Sequence, residues 1–276
     1  MKIIDSFIFY NELSLLNYRL SILNEYVDNF ILVESTHTFS GHPKKLYYNE
    51  NKELFKLFNH KIIHIIVKNF PFKYPNINYI LNHQWKNEYH QRNCIKLGLD
   101  MILEICDDDI ILTSDVDEIP NPSVLNKLKI NELNFNKDTL NRLSLDMYYY
   151  NLNLRVGDGQ NWHGIKLITY KAYKSLLLTF QQMRIIEHTQ YVPVIQYGGW
   201  HLSYFGNIDF IITKIKSFSH QEFNNDNYIN KLQLEEKIKN GINIIGGLNL
   251  QNIKISDNKN LPYKYNEYLQ DYYIDN

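Results

Sequence analysis

The chain has 276 residues, of which 44% are hydrophobic and 14% aromatic, so it is long enough to bury a core of domain size. Its formal net charge is −1, from 29 basic and 30 acidic residues, and it has no long basic run, which argues against a nucleic-acid-binding protein. No stretch approaches the ~18 uninterrupted apolar residues of a membrane span.

The first half of the sequence alternates between strand and helix patterns. Short apolar runs predict strands at Ile3–Phe9, Phe30–Val33, Ile62–Val67 and Ile110–Thr113. Helical periodicity between them predicts a helix capped by Asn11 with an apolar face from Leu13 to Val27, a short helix at Leu54–Phe58 and a long helix at Asn82–Glu104. This alternation is typical of a parallel sheet with helical crossovers.

The second half has a less regular pattern. Apolar runs predict strands at Leu140–Leu154, Gly164–Tyr170 and Tyr197–Phe205. Helices are predicted at Asp209–Ser217, with Asp209 as a cap, and at Tyr228–Lys239. The polar, tyrosine-rich tail from Asn258 is expected to pack loosely, and the lack of internal repeats and linkers predicts one domain over residues 1–276.

A group of acids ends the fourth predicted strand, in the segment Ile110–Pro120. Its apolar run gives way abruptly to Asp115, Asp117 and Glu118. Open α/β sheets bind ligands beyond the carboxyl ends of their strands. Two carboxylates two residues apart suit Mg²⁺ or Mn²⁺, which take oxygen ligands and often share them with substrate phosphates. On spacing alone, a metal site and an acidic surface loop are both consistent with this motif.

Three features bear on the cellular compartment. The apolar run at the start is broken by Asp5 and is too short and too polar for a signal peptide. The two cysteines, Cys94 and Cys106, fit a reducing compartment better than a disulfide scaffold. The Asn-x-Ser/Thr match at Asn121–Ser123 has proline in the middle, which excludes it as a glycosylation site. The sequence therefore predicts a cytoplasmic protein without a membrane anchor.

Seven ordered segments resemble those of a known family, glycosyltransferase family 17, the β-1,4-mannosyl-glycoprotein β-N-acetylglucosaminyltransferases and their microbial relatives. The segments are FYNELSLLNYRL, VESTHTFSGHPKKLYYNENKELF, EYHQRNCIKLGL, SDVDEIP, MYYYNLN, GGWHLSYFG and KIKSFSHQEFN. They occur in order along most of the chain, and SDVDEIP and GGWH are the most specific pieces.

The resemblance implies an inverting, metal-dependent glycosyltransferase with a Rossmann-like GT-A fold, in the α/β class, whose mostly parallel central sheet has helices on both faces. Residues 1–120 would form the nucleotide-binding half, residues 121–257 the acceptor-side half and residues 258–276 the C-terminal tail. The implied donor is a UDP-sugar carrying N-acetylglucosamine or glucose, the implied cofactor is Mn²⁺ or Mg²⁺, and the implied partner is a glycan acceptor.

The resemblance also implies a metal site. Asp117 is expected to contact the metal directly, and Asp115 to contact the metal, the donor ribose or the sugar. Glu118 is expected to lock the turn. A late histidine often completes such a site, which makes His201 the third expected ligand. Trp200 would either stack on a donor ring or fill the core.

Donor contacts are expected from two other segments. Glu34, Ser35 and His37 follow the second strand, where nucleotide base and ribose usually bind, although Glu34 would alternatively pair with a nearby cation. Arg92 and Asn93 lie in the long predicted helix. Arg92 would clamp a phosphate or ribose, or would form a salt bridge to an acid of the motif.

Inversion requires a base that takes the proton of the acceptor hydroxyl. The alternative candidates are Glu187, Asp146 and Glu222. The turn Gly157–Gly164, with Trp162, is an expected acceptor-side loop, because glycine permits movement and tryptophan offers a stacking face.

Two other functions remain open on the sequence. A nucleotide-sugar hydrolase or pyrophosphatase would use the same metal and phosphate contacts, but would admit water to the donor. A carbohydrate-binding protein without turnover could keep the same fold, although sugar binding alone does not require Asp115, Asp117 and His201.

Overall fold

A computed structural model describes residues 1–157, 160–188 and 190–274. Residues 158–159 of the predicted acceptor-side turn and the last two residues of the predicted tail lie outside the described residues.

Within the described ranges, ten strands form one sheet. They are β1 (Ile3–Phe9), β2 (Asn29–Ser35), β3 (Ile62–Val67), β4 (Ile110–Asp115), β5 (Glu118–Pro120), β6 (Asn141–Tyr149), β7 (Leu154–Val156), β8 (Lys166–Thr169), β9 (Val194–Ser203) and β10 (Leu250–Asn252). The α-helices are α1 (Leu13–Leu23), α2 (Tyr47–Glu50), α3 (His83–Asn93), α4 (Ile95–Leu99), α5 (Pro122–Lys129), α6 (Tyr170–Leu176), α7 (Phe180–Ile185), α8 (Ile208–Ser217), α9 (Asp226–Ile229), α10 (Lys231–Lys239) and α11 (Tyr265–Tyr268). Short 3₁₀ helices lie at Lys52–Phe58, Ile186–His188, Gln221–Phe223, Ile255–Asp257 and Gln270–Tyr272.

The sheet has a parallel part and a mixed part. Its main path runs in the order β10-β7-β6-β8-β4-β1-β2-β3, and β9 pairs with β5 and β6. Strands β1, β2, β3 and β4 are parallel, as predicted for the first half. Strand β8 joins β4 and β6 in antiparallel fashion, whereas β9 runs parallel to β6. The predicted α/β class is confirmed; β1–β4 form a continuous parallel part, and the second half adds antiparallel pairs together with the parallel pair β6–β9.

Helices cover both faces of the sheet, because side chains of successive strand residues point in opposite directions. In β1, Ile3 and Phe7 pack into the core that includes α1 and α5, whereas Ile4 and Ile8 pack into the core that includes α4 and α7. All four side chains are buried. Burial on both faces explains why the strand sequences lack polar alternation.

A buried ion pair connects α1 to the acid motif. The Arg19 guanidinium donates to both carboxylate oxygens of Asp5, at 2.6 and 2.8 Å, and both side chains are fully buried. The same guanidinium donates to the backbone carbonyl oxygens of Asp115 and Glu118, at 3.0 and 2.7 Å. Arg19 therefore fixes the turn that carries the acids, a role that helical periodicity did not indicate.

The long helix predicted at Asn82–Glu104 is wrong in extent. The chain forms α3 and α4 with a break at Cys94, and α4 ends at Leu99. In α4, Gly98 lies against β2 so closely that a Cβ atom there would be 2.4 Å from Ile31 Cγ2. The close packing of Gly98 on β2 therefore determines the position of α4. Helical periodicity in the sequence does not indicate this contact.

Three predictions about element boundaries are also wrong. Asn11 does not cap α1, because Glu12 occupies that position and accepts hydrogen bonds from the Tyr10 and Asn11 amides. Asn207, and not Asp209, caps α8 by accepting from the Phe210 amide at 2.9 Å. The run predicted as one strand at Leu140–Leu154 is divided into β6 and β7.

The C-terminal tail packs firmly in its described part, which corrects the expectation of loose packing. Backbone carbonyl oxygens of the tail accept hydrogen bonds from buried aromatic side chains: Trp200 Nε1 donates to Asn260 at 2.8 Å, and Tyr18 donates to Tyr263 at 2.7 Å. Leu269 is fully buried. No described helix is long and apolar enough to cross a membrane.

Candidate active site

A pocket of about 670 Å³ opens at the carboxyl ends of β1, β2 and β4. Parallel strands end at the same edge of a sheet, so the residues that follow them converge there. Tyr10 after β1, Ser35 at the end of β2 and Asp115 at the end of β4 all line it. Residues from the second half of the chain, including His163 and Glu187, also line it. The volume is in the range of small-molecule sites.

Glu118 locks the turn that carries the acids. Its carboxylate is fully buried and accepts from the Asp115 amide at 2.9 Å, from Trp162 Nε1 and from the Arg184 guanidinium at 2.7 Å. Burial alone raises the pKa of Glu118, but the charge and hydrogen bonds of Arg184 outweigh it and lower this pKa to about 2. Glu118 therefore stays ionised as a structural element of the turn.

Asp115 lies between two arginines. Arg92 donates to one carboxylate oxygen at 2.8 Å, and Arg184 donates to the other at 3.0 Å. Burial opposes ionisation of Asp115, yet Arg184 and Arg92 together lower its pKa. Arg92 is itself buried and does not line the pocket, so the geometry matches the predicted salt bridge to the motif and gives no direct donor contact.

Asp117 and His201 face each other across the strand pair β5–β9. The distance from Asp117 Oδ1 to His201 Nε2 is 3.8 Å. The glycines before His201 allow this approach: Gly199 has φ of +149°, and a Cβ atom there would be 2.1 Å from the Ile119 carbonyl oxygen. Only glycine adopts this backbone readily, so Gly199 lets β9 pair closely with β5.

Lys214 completes this part of the site. Its Nζ lies 2.8 Å from Asp117 Oδ2 and 3.3 Å from Glu12 Oε1. Burial acts to lower the pKa of Lys214, but the carboxylates of Asp117 and Glu12 raise it well above its ordinary value. Burial likewise acts to raise the pKa of Asp117, whereas Lys214 and His201 lower it. Both groups are therefore charged at neutral pH.

The side chains around Asp117 offer some of the ligands that a divalent cation needs, but not a complete set. Asp117 Oδ1 and His201 Nε2 are too far apart for a hydrogen bond, but one cation could contact both. The His201 Nδ1 atom is buried without a hydrogen-bond partner. Among the residues with described positions, no three His, Cys, Asp or Glu side chains converge as a complete metal site. Asp117 and His201 could therefore provide two of the ligands of a divalent cation, and substrate and water would supply the remaining ligands.

The structure places Trp200 and Asp146 on the face of the sheet away from the pocket. They are register neighbours in β9 and β6, whereas His201 and Met147 one position later face the pocket. Trp200 is only 6% exposed and belongs to the core. Asp146 pairs with Arg155 at 2.5 Å. Stacking of Trp200 on a donor ring and a base role for Asp146 are both wrong for this geometry.

The predicted donor contacts after β2 divide into two groups. Ser35 and His37 line the pocket. Glu34 is fully buried and accepts from the Tyr48 amide at 3.0 Å. Its carboxylate lies 3.8 Å from the Lys44 ammonium, as its alternative prediction of a nearby cation stated, and 3.2 Å from His64 Nε2.

Asn93 is also outside the pocket lining, which corrects its predicted donor contact. Its side-chain oxygen accepts from the Gln181 amide at 3.0 Å. Asn93 therefore connects the end of α3 to α7, the helix that carries Arg184.

Of the three predicted bases, Glu187 lines the pocket and Glu222 does not. Lys166 Nζ contacts the Glu187 carboxylate at 2.7–2.8 Å. Burial lowers the pKa of Lys166 to about 8, although Glu187 acts to raise it. Glu222 is exposed and does not line the pocket itself, and its carboxylate lies 2.6 Å from the imidazole of His220, which does line it.

Arg184 and Lys214 are the main site residues that the sequence reasoning missed. Arg184 comes from α7, which was not predicted as a helix, and no motif surrounds it. Lys214 lies inside the KIKSFSHQEFN segment, so the resemblance marked the region without marking the residue. Both residues contact acids that are distant in the sequence, which local patterns do not reveal.

We expect Gly164→Ala to destabilise the site. A Cβ atom at Gly164 would lie 1.8 Å from Glu118 Oε1 and 2.4 Å from Trp162 Nε1. Since those side chains are held by hydrogen bonds, the free energy of unfolding should fall by ~1–3 kcal/mol, as for other overpacked positions. Urea denaturation measures the loss. The matched control is Gly157→Ala, whose Cβ meets the flexible end of Gln251 at 3.3 Å; an equal loss in both variants would contradict the packing argument.

A family model for glycosyltransferase family 17 matches residues 1–251. Two proteins similar in sequence are beta-1,4-mannosyl-glycoprotein 4-beta-N-acetylglucosaminyltransferases, from Rattus norvegicus and Homo sapiens. Each is 26% identical over 121 residues, which are 43% of this chain and 22% of the relative. The match therefore covers about a fifth of the length of these relatives.

Solved structures share only a distant likeness with this chain. The inositol-1-phosphate CTP transferase from T. maritima gives a TM-score of 0.37 at 13% identity, over 77% of this chain and 96% of that one. The glycosyltransferase GlyE of Streptococcus pneumoniae TIGR4 gives 0.33 at 11% identity, over 70% and 45%. A glycosyltransferase involved in glycosylation of the major capsid of PBCV-1 gives 0.30 at 11% identity, over 71% and 81%.

Proposed function

The chain belongs to glycosyltransferase family 17, and we propose that it transfers a sugar from a UDP-sugar to a hydroxyl acceptor with inversion at the anomeric carbon. The observation that carries this proposal is the grouping of Asp117, His201 and Lys214 in a pocket at the carboxyl ends of the parallel strands. Such a group is suited to a diphosphate, because it combines a cationic side chain with donors for a metal ion.

We propose that Asp117 and His201 hold a divalent cation, Mn²⁺ or Mg²⁺, with Mn²⁺ favoured by the imidazole ligand. Bound there, the ion would stabilise the negative charge that grows on the leaving diphosphate. Asp115 keeps a supporting role in this proposal, because Arg92 and Arg184 already hold both of its oxygens. Lys214 would orient Asp117 and add a fixed positive charge beside the diphosphate.

The nucleoside is proposed to bind at the end of the pocket formed by the first half of the chain. Ser35 and His37 offer polar groups there. Tyr10 offers an aromatic ring, and its hydroxyl oxygen is hydrogen-bonded to Ser217 Oγ at 2.8 Å. These groups follow β1 and β2, where α/β proteins commonly bind nucleotides. The donor would therefore extend from β2 towards Asp117, with its sugar towards Glu187.

Glu187 is the proposed base. It lines the pocket, and the Lys166 ammonium contacts its carboxylate at 2.7 Å. A carboxylate in that place can accept the proton of an acceptor hydroxyl as the hydroxyl attacks the anomeric carbon. The transferred sugar is proposed to be N-acetylglucosamine or glucose, and the names of the rat and human relatives favour N-acetylglucosamine.

We expect UDP and Mn²⁺ together to raise the thermal denaturation midpoint by more than the sum of their separate effects. Each would supply ligands for the other, and binding to the folded state alone stabilises a protein. The measurement is a thermal-shift series with UDP, ADP and GDP, each with and without Mn²⁺. Equal shifts for the three nucleotides would contradict a UDP-sugar donor. Release of free sugar from UDP-N-acetylglucosamine at the same rate with and without acceptor would indicate a hydrolase instead.

A further inference from the structure

The cations that line the pocket differ in whether a carboxylate neutralises them. Three of the four have a carboxylate within ion-pair distance: Lys44 with Glu34 at 3.8 Å, Arg184 with Glu118 at 2.7 Å and Lys214 with Asp117 at 2.8 Å. Arg142 is the exception, because no carboxylate among residues 1–157, 160–188 and 190–274 forms an ion pair with it. Its positive charge is therefore not balanced by the described part of the protein.

Arg142 is also incompletely hydrogen-bonded. Its side chain is partly exposed to the pocket, but its Nε atom is buried without a hydrogen-bond partner. A buried donor without an acceptor costs ~1–3 kcal/mol, and more when the group is charged. Carboxylate and phosphate oxygens remove this cost most effectively, since a guanidinium binds them through two parallel hydrogen bonds.

The surroundings of Arg142 are basic. Arg142 in β6 is the register neighbour of Lys166 in β8, so both side chains leave the same face of the sheet. Burial lowers the pKa of the nearby His163, and the charges of Arg142 and Lys166 lower it further. The acid in this region, Glu187, is already paired with Lys166. The local charge thus favours an anion contributed by a ligand.

The position of Arg142 identifies which substrate would contribute that anion. The nucleoside and diphosphate are assigned to the region of Ser35, His37 and Asp117, whereas Arg142 is the register neighbour of Lys166, which contacts the proposed base Glu187. We propose that Arg142 binds a phosphate or carboxylate group on the acceptor, so that the acceptor is an acidic or phosphorylated sugar. This inference rests on the proposed glycosyl transfer, because that function assigns Glu187 and its neighbours to the acceptor.

A titration of the protein saturated with UDP and Mn²⁺ tests this inference, with glucose, glucose 6-phosphate and glucuronate as probes. Saturation with UDP keeps the anionic probes out of the diphosphate site. Both anionic probes, or one of them, should bind about tenfold or more tightly than glucose, as expected for a charged hydrogen bond. The stronger of the two identifies phosphate or carboxylate as the natural group.

Arg142→Met should remove the preference for anions, and Arg142→Lys should retain part of it because the charge remains. Lys174→Met is the matched control: this exposed cation on α6 pairs with Asp107 and does not line the pocket, so the preference should be unchanged. Equal binding of all three probes by the unaltered protein would overturn the inference, as would an anion preference that survives in Arg142→Met.

The same titration distinguishes failure of this inference from failure of the proposed function. Arg142→Met should keep the joint stabilisation by UDP and Mn²⁺, which also shows that the variant is folded. If UDP stabilises the protein but the anion preference is absent, the acceptor inference fails alone. If UDP and Mn²⁺ have no effect on the unaltered protein, the proposed function fails, and the binding of the anionic probes is then judged in the absence of nucleotide.

Discussion

We expect Asp117→Asn to abolish the joint stabilisation by UDP and Mn²⁺ and to lower transfer by about 10²–10³, the effect typical of removing one strong electrostatic contact at a reacting centre. The substitution keeps the shape of the side chain but removes its charge. Asp117 is the carboxylate that faces both His201, at 3.8 Å, and Lys214, at 2.8 Å. The amide would leave Lys214 with Glu12 as its remaining carboxylate contact. Thermal shift and transfer assays measure the two effects.

The matched control for Asp117→Asn is Asp146→Asn. Asp146 carries the same functional group on the opposite face of the same region of sheet, where it pairs with Arg155. The extra stabilisation by UDP with Mn²⁺ should persist in this variant, whatever its stability without ligand. His201→Ala should weaken nucleotide binding less than Asp117→Asn, because water can occupy the position of the imidazole. Full retention of the joint effect in Asp117→Asn would exclude the proposed cation site.

Glu187→Gln should lower turnover by about 10² or more and leave UDP binding intact. Glutamine preserves the size of the side chain but does not accept a proton from the acceptor hydroxyl. Glu187 is not among the residues proposed to contact UDP, so its replacement should leave those contacts in place. Single-turnover transfer from UDP-N-acetylglucosamine, together with UDP binding, separates the two properties.

Glu222→Gln is the control for this second experiment, because Glu222 is exposed and is not among the residues that line the pocket. Its turnover should remain near normal. Near-normal turnover in Glu187→Gln would remove Glu187 as the base. A loss of UDP binding in Glu187→Gln would instead place this carboxylate on the donor side of the pocket.

The sequence alone determined the strands of the first half of the chain. The predicted limits of β1 and β3, Ile3–Phe9 and Ile62–Val67, agree with the structure because short buried strands have continuous apolar runs. The end of β4 at the acid motif followed from the same pattern. Alternating strands and helices were sufficient to predict parallel pairing, and parallel pairing was sufficient to bring the ends of β1, β2 and β4 to one edge.

The roles of individual acids were decided by tertiary structure. Asp117 and Lys214 are 97 residues apart, and Asp115 and Arg184 are 69 apart, so no local pattern connects them. Sequence spacing identified the carboxylates but gave no information about the cations that fold against them. That is why the sequence left Asp115 with the metal, the donor ribose and the sugar as alternative contacts, whereas the structure holds it between two arginines.

Tertiary structure also decided which residues of β6 and β9 face the pocket. A shift of one position moves a strand side chain to the opposite face, and the irregular register between Leu143 and Leu145 changes the alternation that sequence alone would extrapolate. His201 consequently faces Asp117, whereas Trp200 enters the core and Asp146 pairs with Arg155. The sequence placed these residues close to the site, and strand pairing over long sequence distances determined their direction.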